Sequence, residues 1–133
     1  MFCPKNCRIL VVDDIADNIF LLQTILEAEG YMVDTASSGL SALARIKNSP
    51  PDLVLLDVMM PDMNGYEVTQ RIRQNDRLPF IPIMLVTAHE EATARRGLAF
   101  GANDFIRKPI DFDELLTRVK AFLQLKRTEK PSA

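Results

Sequence analysis

The chain has little of what several common classes of protein require. Its 133 residues include two cysteines, one histidine and no tryptophan. Cys3 and Cys7 lie close together near the N-terminus and far from His89. A structural zinc site needs four ligands, so this composition excludes one. We expect both cysteines to be reduced thiols, as is usual inside cells.

Long apolar runs and an excess of one charge are also missing. The longest apolar runs, at residues 53–56 and 81–86, fall far short of the about 20 residues of a transmembrane helix. The N-terminus does not resemble a secretory signal, so we expect a cytoplasmic protein. With 16 basic and 18 acidic residues the net charge is -2, which disfavours a stand-alone nucleic-acid binder and attraction to an anionic membrane.

Short aliphatic runs alternate with amphipathic stretches along the chain. Five runs predict strands, at residues 9–12, 31–36, 53–56, 81–86 and 104–107. Apolar residues at helical spacing predict a helix after each strand, two of them at residues 67–74 and 90–100. This alternation favours right-handed crossovers and a parallel sheet covered on both faces, an α/β fold in three layers.

The apolar periodicity also predicts how the chain is divided. It continues through the last predicted helix and stops at Lys126. We therefore expect one domain over residues 1–125, followed by a tail or linker stub at residues 126–133. Whether the chain acts alone or is a fragment of a longer regulator stays open.

Polar side chains follow four of the predicted strands at the points where these strands end. Asp13 and Asp14 follow the first strand, and Asp57 follows the third. Thr87 and Lys108 follow the fourth and fifth. Because the carboxyl ends of parallel strands meet at one edge of a sheet, three carboxylates, a hydroxyl and an ammonium group are expected to converge there.

This set of groups favours a specific chemistry. Clustered carboxylates repel one another, and a hard divalent ion such as Mg²⁺ relieves that repulsion. A carboxylate beside Mg²⁺ can attack a phosphoryl group, whose oxygens the ion and Lys108 neutralise while Thr87 donates a hydrogen bond. The sequence has no glycine-rich phosphate loop, so a phosphoryl donor has to bring its own recognition.

The residues around these positions resemble the receiver domain of two-component response regulators. The resemblance covers residues 8 to about 125 and rests on the stretches ILVVDD, LVLLDVMMPDMNGYE, LVTA and DFIRKP. It implies a flavodoxin-like, doubly wound sheet of five parallel strands in the order 2-1-3-4-5 with five helices. It also implies a phosphorylation-dependent signalling switch that catalyses only its own phosphorylation and dephosphorylation.

The resemblance assigns the phosphoacceptor and the metal ligands. Asp57 is the phosphoacceptor. Asp14 ligates Mg²⁺ directly, together with Asp57 and the backbone carbonyl of Met59. Asp13 supports the ion, through water. The side chain of Met59 cannot hydrogen-bond an attacking water, which favours a long-lived phosphoryl group.

The resemblance also assigns the residues that respond to phosphorylation. Thr87 and Lys108 bind the phosphoryl group, and the Lys108–Pro109 peptide bond is cis. Phe105 matches an aromatic switch position that rotates inward when Thr87 moves. A core aromatic without a switching role is the alternative for Phe105.

The implied partners are a histidine kinase or phosphotransfer protein, and a downstream protein target or fused output domain. A charged face within residues 90–125 predicts a monomer or weak homodimer. Four residues fit a pairing face of the transcription-factor branch of the family: Asp104, Glu114, Arg118 and Lys120. Asn103 and Ala94 depart from that pattern, and a solvated charged surface is the alternative.

Two other functions compete with the switch. A haloacid-dehalogenase-like phosphatase also uses an aspartyl nucleophile with Mg²⁺. It places a second acid two residues after the nucleophile, where this chain has Met59 after Asp57 and Ile15 after Asp13. A degenerate receiver that binds partners without phosphate is disfavoured by the complete set of polar residues.

Overall fold

In a computed structural model the chain forms a parallel sheet with helices on both faces. The structure describes residues 7–129, and only the backbone from residue 125 onward. In chain order the elements are β1 (Arg8–Val12), α1 (Ala16–Ala28), β2 (Met32–Ala36), α2 (Gly39–Asn48), β3 (Leu53–Asp57), α3 (Gly65–Gln74), β4 (Ile83–Thr87), α4 (Glu91–Arg96), β5 (Asp104–Arg107) and α5 (Phe112–Glu129). All strand pairs are parallel and the order is β2-β1-β3-β4-β5, which confirms the predicted fold.

The core lies on the two faces of this sheet. Every residue of β3 and β4 is buried, as expected for central parallel strands. One apolar cluster joins the sheet to α2 and α3, and the other joins it to α1 and α5. Because side chains alternate along a strand, Val54 belongs to the first cluster and Leu55 to the second. The strand ends are therefore held by burial from both sides.

Three element boundaries differ from the prediction. β4 begins at Ile83, two residues later than expected, because Pro82 has no N–H for the ladder. α3 begins at Gly65, two residues earlier than expected, because Asn64 and Glu67 form a capping box. α5 continues to Glu129, past the expected start of the tail, and residues 130–133 lie outside the described part.

The helix predicted at residues 90–100 is two shorter elements. The α-helix α4 is followed by a 3-10 turn, Gly97–Phe100, which ends at Gly101 with a φ of 110°. Ala94 is the buried residue of α4, and Glu90 at its N-cap makes no side-chain capping hydrogen bond. We call residues 91–100 the α4 segment. Its short helix and thin apolar face leave it less firmly held than the other helices.

Cys7 departs from the expectation of two reduced thiols. Its side chain is buried and disulfide-bonded, and the bonding partner lies outside the described residues. Cysteine spacing alone could not decide this, because pairing depends on the distance between the Cβ atoms in the folded chain.

Within residues 7–129 no helix is both long enough and apolar enough to cross a membrane.

Candidate functional site

The ends of β1 and β3 bring three carboxylates together, as the sequence predicted. One side-chain oxygen each from Asp13, Asp14 and Asp57 lies within 4.8 Å of the others. Asp13 and Asp57 are each only 3% exposed, whereas Asp14 is exposed. Two buried anions and one accessible anion therefore share one small volume at the edge of the sheet.

Asp13 is oriented by α1. Its Oδ1 accepts a hydrogen bond from the backbone N–H of Ile15 at 3.0 Å, and its Oδ2 accepts one from Nδ2 of Asn18 at 3.2 Å. Asn18 was not predicted as a site residue from the sequence. The available signal was a polar side chain in the first turn of the helix that follows the Asp13–Asp14 pair. Asn18 orients an acid that the other carboxylates would otherwise repel.

Asp57 is buried without full compensation of its charge. Nζ of Lys108 lies 3.2 Å from its Oδ1, yet this buried oxygen has no hydrogen bond of normal geometry from the described residues. Burial raises the pKa of Asp57, the charge of Asp13 raises it further, and Lys108 opposes the rise. An under-compensated oxygen beside two more carboxylates fits a hard cation such as Mg²⁺.

Thr87 and Lys108 lie next to each other because β4 and β5 are adjacent. The backbone N–H of Lys108 donates to the Thr87 carbonyl at 2.8 Å, and the Lys108–Pro109 bond is cis, as predicted. Thr87 is buried at the end of β4, and its Oγ1 accepts a hydrogen bond from the backbone N–H of His89 at 2.9 Å. A short polar loop thus follows directly from the end of β4.

The loop between β3 and α3 passes close to Asp57. A Cβ on Gly65 would lie 2.7 Å from the Asp57 carbonyl oxygen and 2.9 Å from Cα of Val58, so only glycine fits there. The Gly65 N–H also donates to the Val58 carbonyl at 2.9 Å. Gly65 was not predicted as a site residue from the sequence. Its signal was a capping residue, Asn64, directly before it and shortly after Asp57.

Two further predicted residues, Met59 and Phe105, differ in the burial of their side chains. The Met59 side chain is 59% exposed. Phe105 is half-buried and packs against the cluster beneath α2 and α3. Its switching role stays a prediction.

Three of the four residues predicted for pairing, Asp104, Glu114 and Arg118, already pair with one another within one chain. Arg118 of α5 contacts Asp104 of β5 and Glu114 of its own helix. In α4, Arg95 pairs with Glu91 at 2.9 Å. These exposed pairs contribute about 0–1 kcal/mol each, so exchanging them for contacts with a second chain gains little.

Comparison with known proteins identifies the family. The sequence model of the response regulator receiver domain matches residues 9–120. Response regulator PleD of Caulobacter vibrioides is 44% identical over 122 residues, which make up 91% of this chain and 27% of that protein. The alkaline phosphatase synthesis transcriptional regulatory protein PhoP of Bacillus subtilis is 43% identical over 96% of this chain and 53% of that protein. The chain thus spans about half or less of the length of these relatives.

Solved structures of response regulators are also similar to this chain. A CheY-like response regulator receiver domain protein from Methanospirillum hungatei has a TM-score of 0.86 at 32% identity, covering 94% of this chain and 99% of that one. Chemotaxis protein CheY4 of Vibrio cholerae has a TM-score of 0.81 at 30% identity, covering 88% of this chain and 98% of that one. The sequence motifs, the strand order and the family match over residues 9–120 all indicate the same family. The chain belongs to the response regulator receiver domain family.

Proposed function

We propose that this chain is a phosphorylation-dependent switch of a two-component system and that Asp57 accepts the phosphoryl group. The observation that carries the proposal is the environment of Asp57. Its carboxylate is buried at the end of a fully buried strand, 3.2 Å from the Lys108 ammonium group and within 4.8 Å of two further acids. A buried carboxylate with a cation on one side and an acidic pocket on the other suits attack on a phosphoryl group.

The acidic pocket would hold Mg²⁺. Asp57, Asp14 and the backbone carbonyl of Met59 are the proposed direct ligands, and Asp13 supports the ion through water. When bound, the ion neutralises negative charge on the phosphoryl oxygens. The fit rests on an oxygen-only donor set and on the under-compensated Oδ1 of Asp57.

The transfer itself needs three groups of this chain. A carboxylate oxygen of Asp57 forms a bond to phosphorus while the bond from phosphorus to the imidazole nitrogen of the donor breaks. Lys108, which already contacts Asp57, takes up part of the charge on the transferred oxygens. The Thr87 hydroxyl donates a hydrogen bond to one of these oxygens. It can do so while still accepting from the His89 N–H, because a hydroxyl both donates and accepts.

The phosphoryl donor is proposed to be a histidine kinase or phosphotransfer protein. Three apolar side chains in or directly before α1 are more than two-fifths exposed: Ile15 at its N-cap, Phe20 and Leu21. Exposed apolar side chains of this kind suit contact with a protein partner. Downstream, we propose a protein target or a fused output domain, as the greater length of the relatives suggests. We further propose a cytoplasmic receiver over residues 1–125, with pairing through the charged face weak or absent.

Phosphorylation by a small donor tests the proposal. Incubation with acetyl phosphate and Mg²⁺ should add one phosphoryl group per chain, measured by intact mass spectrometry. Asp57→Asn should remove the addition, and the exposed Asp76→Asn should leave it unchanged. Labelling of Asp57→Asn at the wild-type level would contradict the assignment. Continuous turnover of a phosphomonoester would instead favour a phosphatase, for which Met59 occupies the position of the missing acid.

A further inference from the structure

Tyr66, in the first turn of α3, touches both the loop after β4 and the α4 segment. Its hydroxyl oxygen lies 3.0 Å from Nδ1 of His89. Its ring stacks on Phe100 of the 3-10 turn, with 5.4 Å between ring centroids and an interplanar angle of 24°. Neither the motifs of the receiver family in this sequence nor the proposed phosphoryl chemistry assigns a role to this side chain.

The first contact leads directly to the phosphoryl-binding threonine. The N–H of His89 donates to Oγ1 of Thr87, so the His89 ring and Thr87 belong to one short turn. Burial raises the pKa of the Tyr66 hydroxyl, and the nearby Thr87 side chain opposes that rise. The carbonyl of His89 also accepts a hydrogen bond from Nε of Arg107 at 3.0 Å. Any change in the hydrogen bonding of Thr87 therefore acts on a turn that Tyr66 contacts.

The second contact is tight. A Cβ on Gly97 would lie 2.7 Å from Cε1 of Tyr66 and 2.6 Å from Cδ1 of Leu85, so the 3-10 turn packs directly on the Tyr66 ring. The ring of Phe100 adds the stacking contact from the other end of that turn. Close packing of this kind transmits displacement, because neighbouring atoms have no free space to absorb it. Movement of the Tyr66 ring thus has to move the 3-10 turn.

We propose that Tyr66 is a positioning residue that couples Thr87, through His89, to the α4 segment when Asp57 carries a phosphoryl group. This inference rests on the proposed function. On phosphorylation the Thr87 hydroxyl moves toward a phosphoryl oxygen while it still accepts from the His89 N–H, so the turn at His89 moves with it and the Tyr66 hydroxyl follows its hydrogen-bond partner. The stacked Phe100 ring then carries the shift into the α4 segment.

Amide NMR with Mg²⁺ and beryllofluoride, which mimics an acyl phosphate, tests this coupling. In the wild type, amides next to Asp57 and amides of Leu98, Phe100 and Gly101 should all shift. Tyr66→Phe keeps the ring and removes the hydroxyl. It should retain the shifts next to Asp57 and lose most of those in the α4 segment, with an unchanged rate of phosphorylation by acetyl phosphate.

Tyr31→Phe is the matched control, since Tyr31 is the other tyrosine of the chain and lies in the opposite cluster. It should show the full wild-type response. Phe100→Leu removes the stacking partner and should reproduce the effect of Tyr66→Phe at Leu98 and Gly101. Wild-type shifts throughout the α4 segment of Tyr66→Phe would overturn the inference while leaving the proposed function intact. No shift next to Asp57 in the wild type would overturn the proposed function, and this inference with it.

Discussion

Two regions of the molecule are held in opposite ways. One is formed by the ends of β3 and β4, and the other is the α4 segment. Every residue of both strands is buried, and each strand is hydrogen-bonded to a neighbour on both sides. The α4 segment has a six-residue helix with one buried side chain, followed by a 3-10 turn. Its attachment depends on individual side chains, chiefly Tyr66 beneath it and Arg73 at its end.

The two regions suit different parts of the proposed function. The strand ends suit the phosphoryl chemistry, and the α4 segment suits the conformational response. The proposed phosphorylation site needs its groups held at fixed distances, and the buried ends of β3 and β4 hold Asp57 and Thr87 in that way. A responding surface needs a second arrangement within a few kcal/mol, and weakly packed elements provide that. One small domain thus has a site carried on buried strands and a segment that individual side chains hold in place.

The largest expected effect comes from Gly65 of α3, which packs on the end of β3, and it is compared with Gly97 of the α4 segment. Gly65→Ala places a Cβ against the Asp57 carbonyl and Cα of Val58, which are backbone atoms that cannot move aside. We expect a loss of about 3 kcal/mol in the free energy of unfolding, at the upper end for overpacking. Gly97→Ala meets only the side chains of Tyr66 and Leu85, and should cost about 1 kcal/mol. Urea unfolding measures both, and equal losses would contradict the contrast between the two regions.

An intermediate effect is expected from the attachment at the end of the α4 segment. The guanidinium of Arg73 donates to the carbonyls of Gly101 and Ile81 and to Oδ1 of Asn103, at 2.9, 2.7 and 2.9 Å. Arg73→Ala leaves these acceptors without their donor, at a cost of about 2 kcal/mol. Amide hydrogen exchange should speed up in the α4 segment much more than in β3. The exposed Arg71→Ala is the control, and unchanged exchange in the α4 segment of Arg73→Ala would show that it is held by other contacts.

The smallest effect concerns the loop after β3. Asp62 accepts hydrogen bonds from the backbone N–H groups of Leu40 and Gly39 at the start of α2, and these bonds lower the pKa of Asp62. A lowered pKa stabilises the fold above the unfolded value of about 3.9, and that stabilisation is lost as the pH falls through the folded value. Asp62→Asn should therefore make the decline in stability below about pH 4 shallower.

Urea titrations at a series of pH values measure this decline. Asp76→Asn, which alters an exposed acid away from α2, should keep the wild-type pH dependence. An identical pH dependence of Asp62→Asn and the wild type would mean that the contact between the loop and α2 contributes nothing to stability.

The contrast between the buried strands and the α4 segment also explains how much of the structure could be predicted from the sequence. The runs of β1 and β3 are aliphatic throughout, because both faces of a central parallel strand are buried, so strands and the acids at their ends could be located. The division of the α4 segment could not be located in this way, because α4 has one buried residue, Ala94, and the close contact of Gly97 is with Tyr66, which is distant in the chain. Asn18 and Gly65 were missed for a similar reason, since each acts on an acid of another element.

The site of phosphorylation is the most direct test of the account. After incubation with Mg²⁺ and acetyl phosphate, borohydride reduction converts an aspartyl phosphate to homoserine, which peptide mass spectrometry can locate. The expected result is homoserine at position 57 alone, and none when Mg²⁺ is replaced by a chelator. Homoserine at position 13 or 14, or at none of the three acids, would contradict the assignment of the buried Asp57 as the phosphoacceptor.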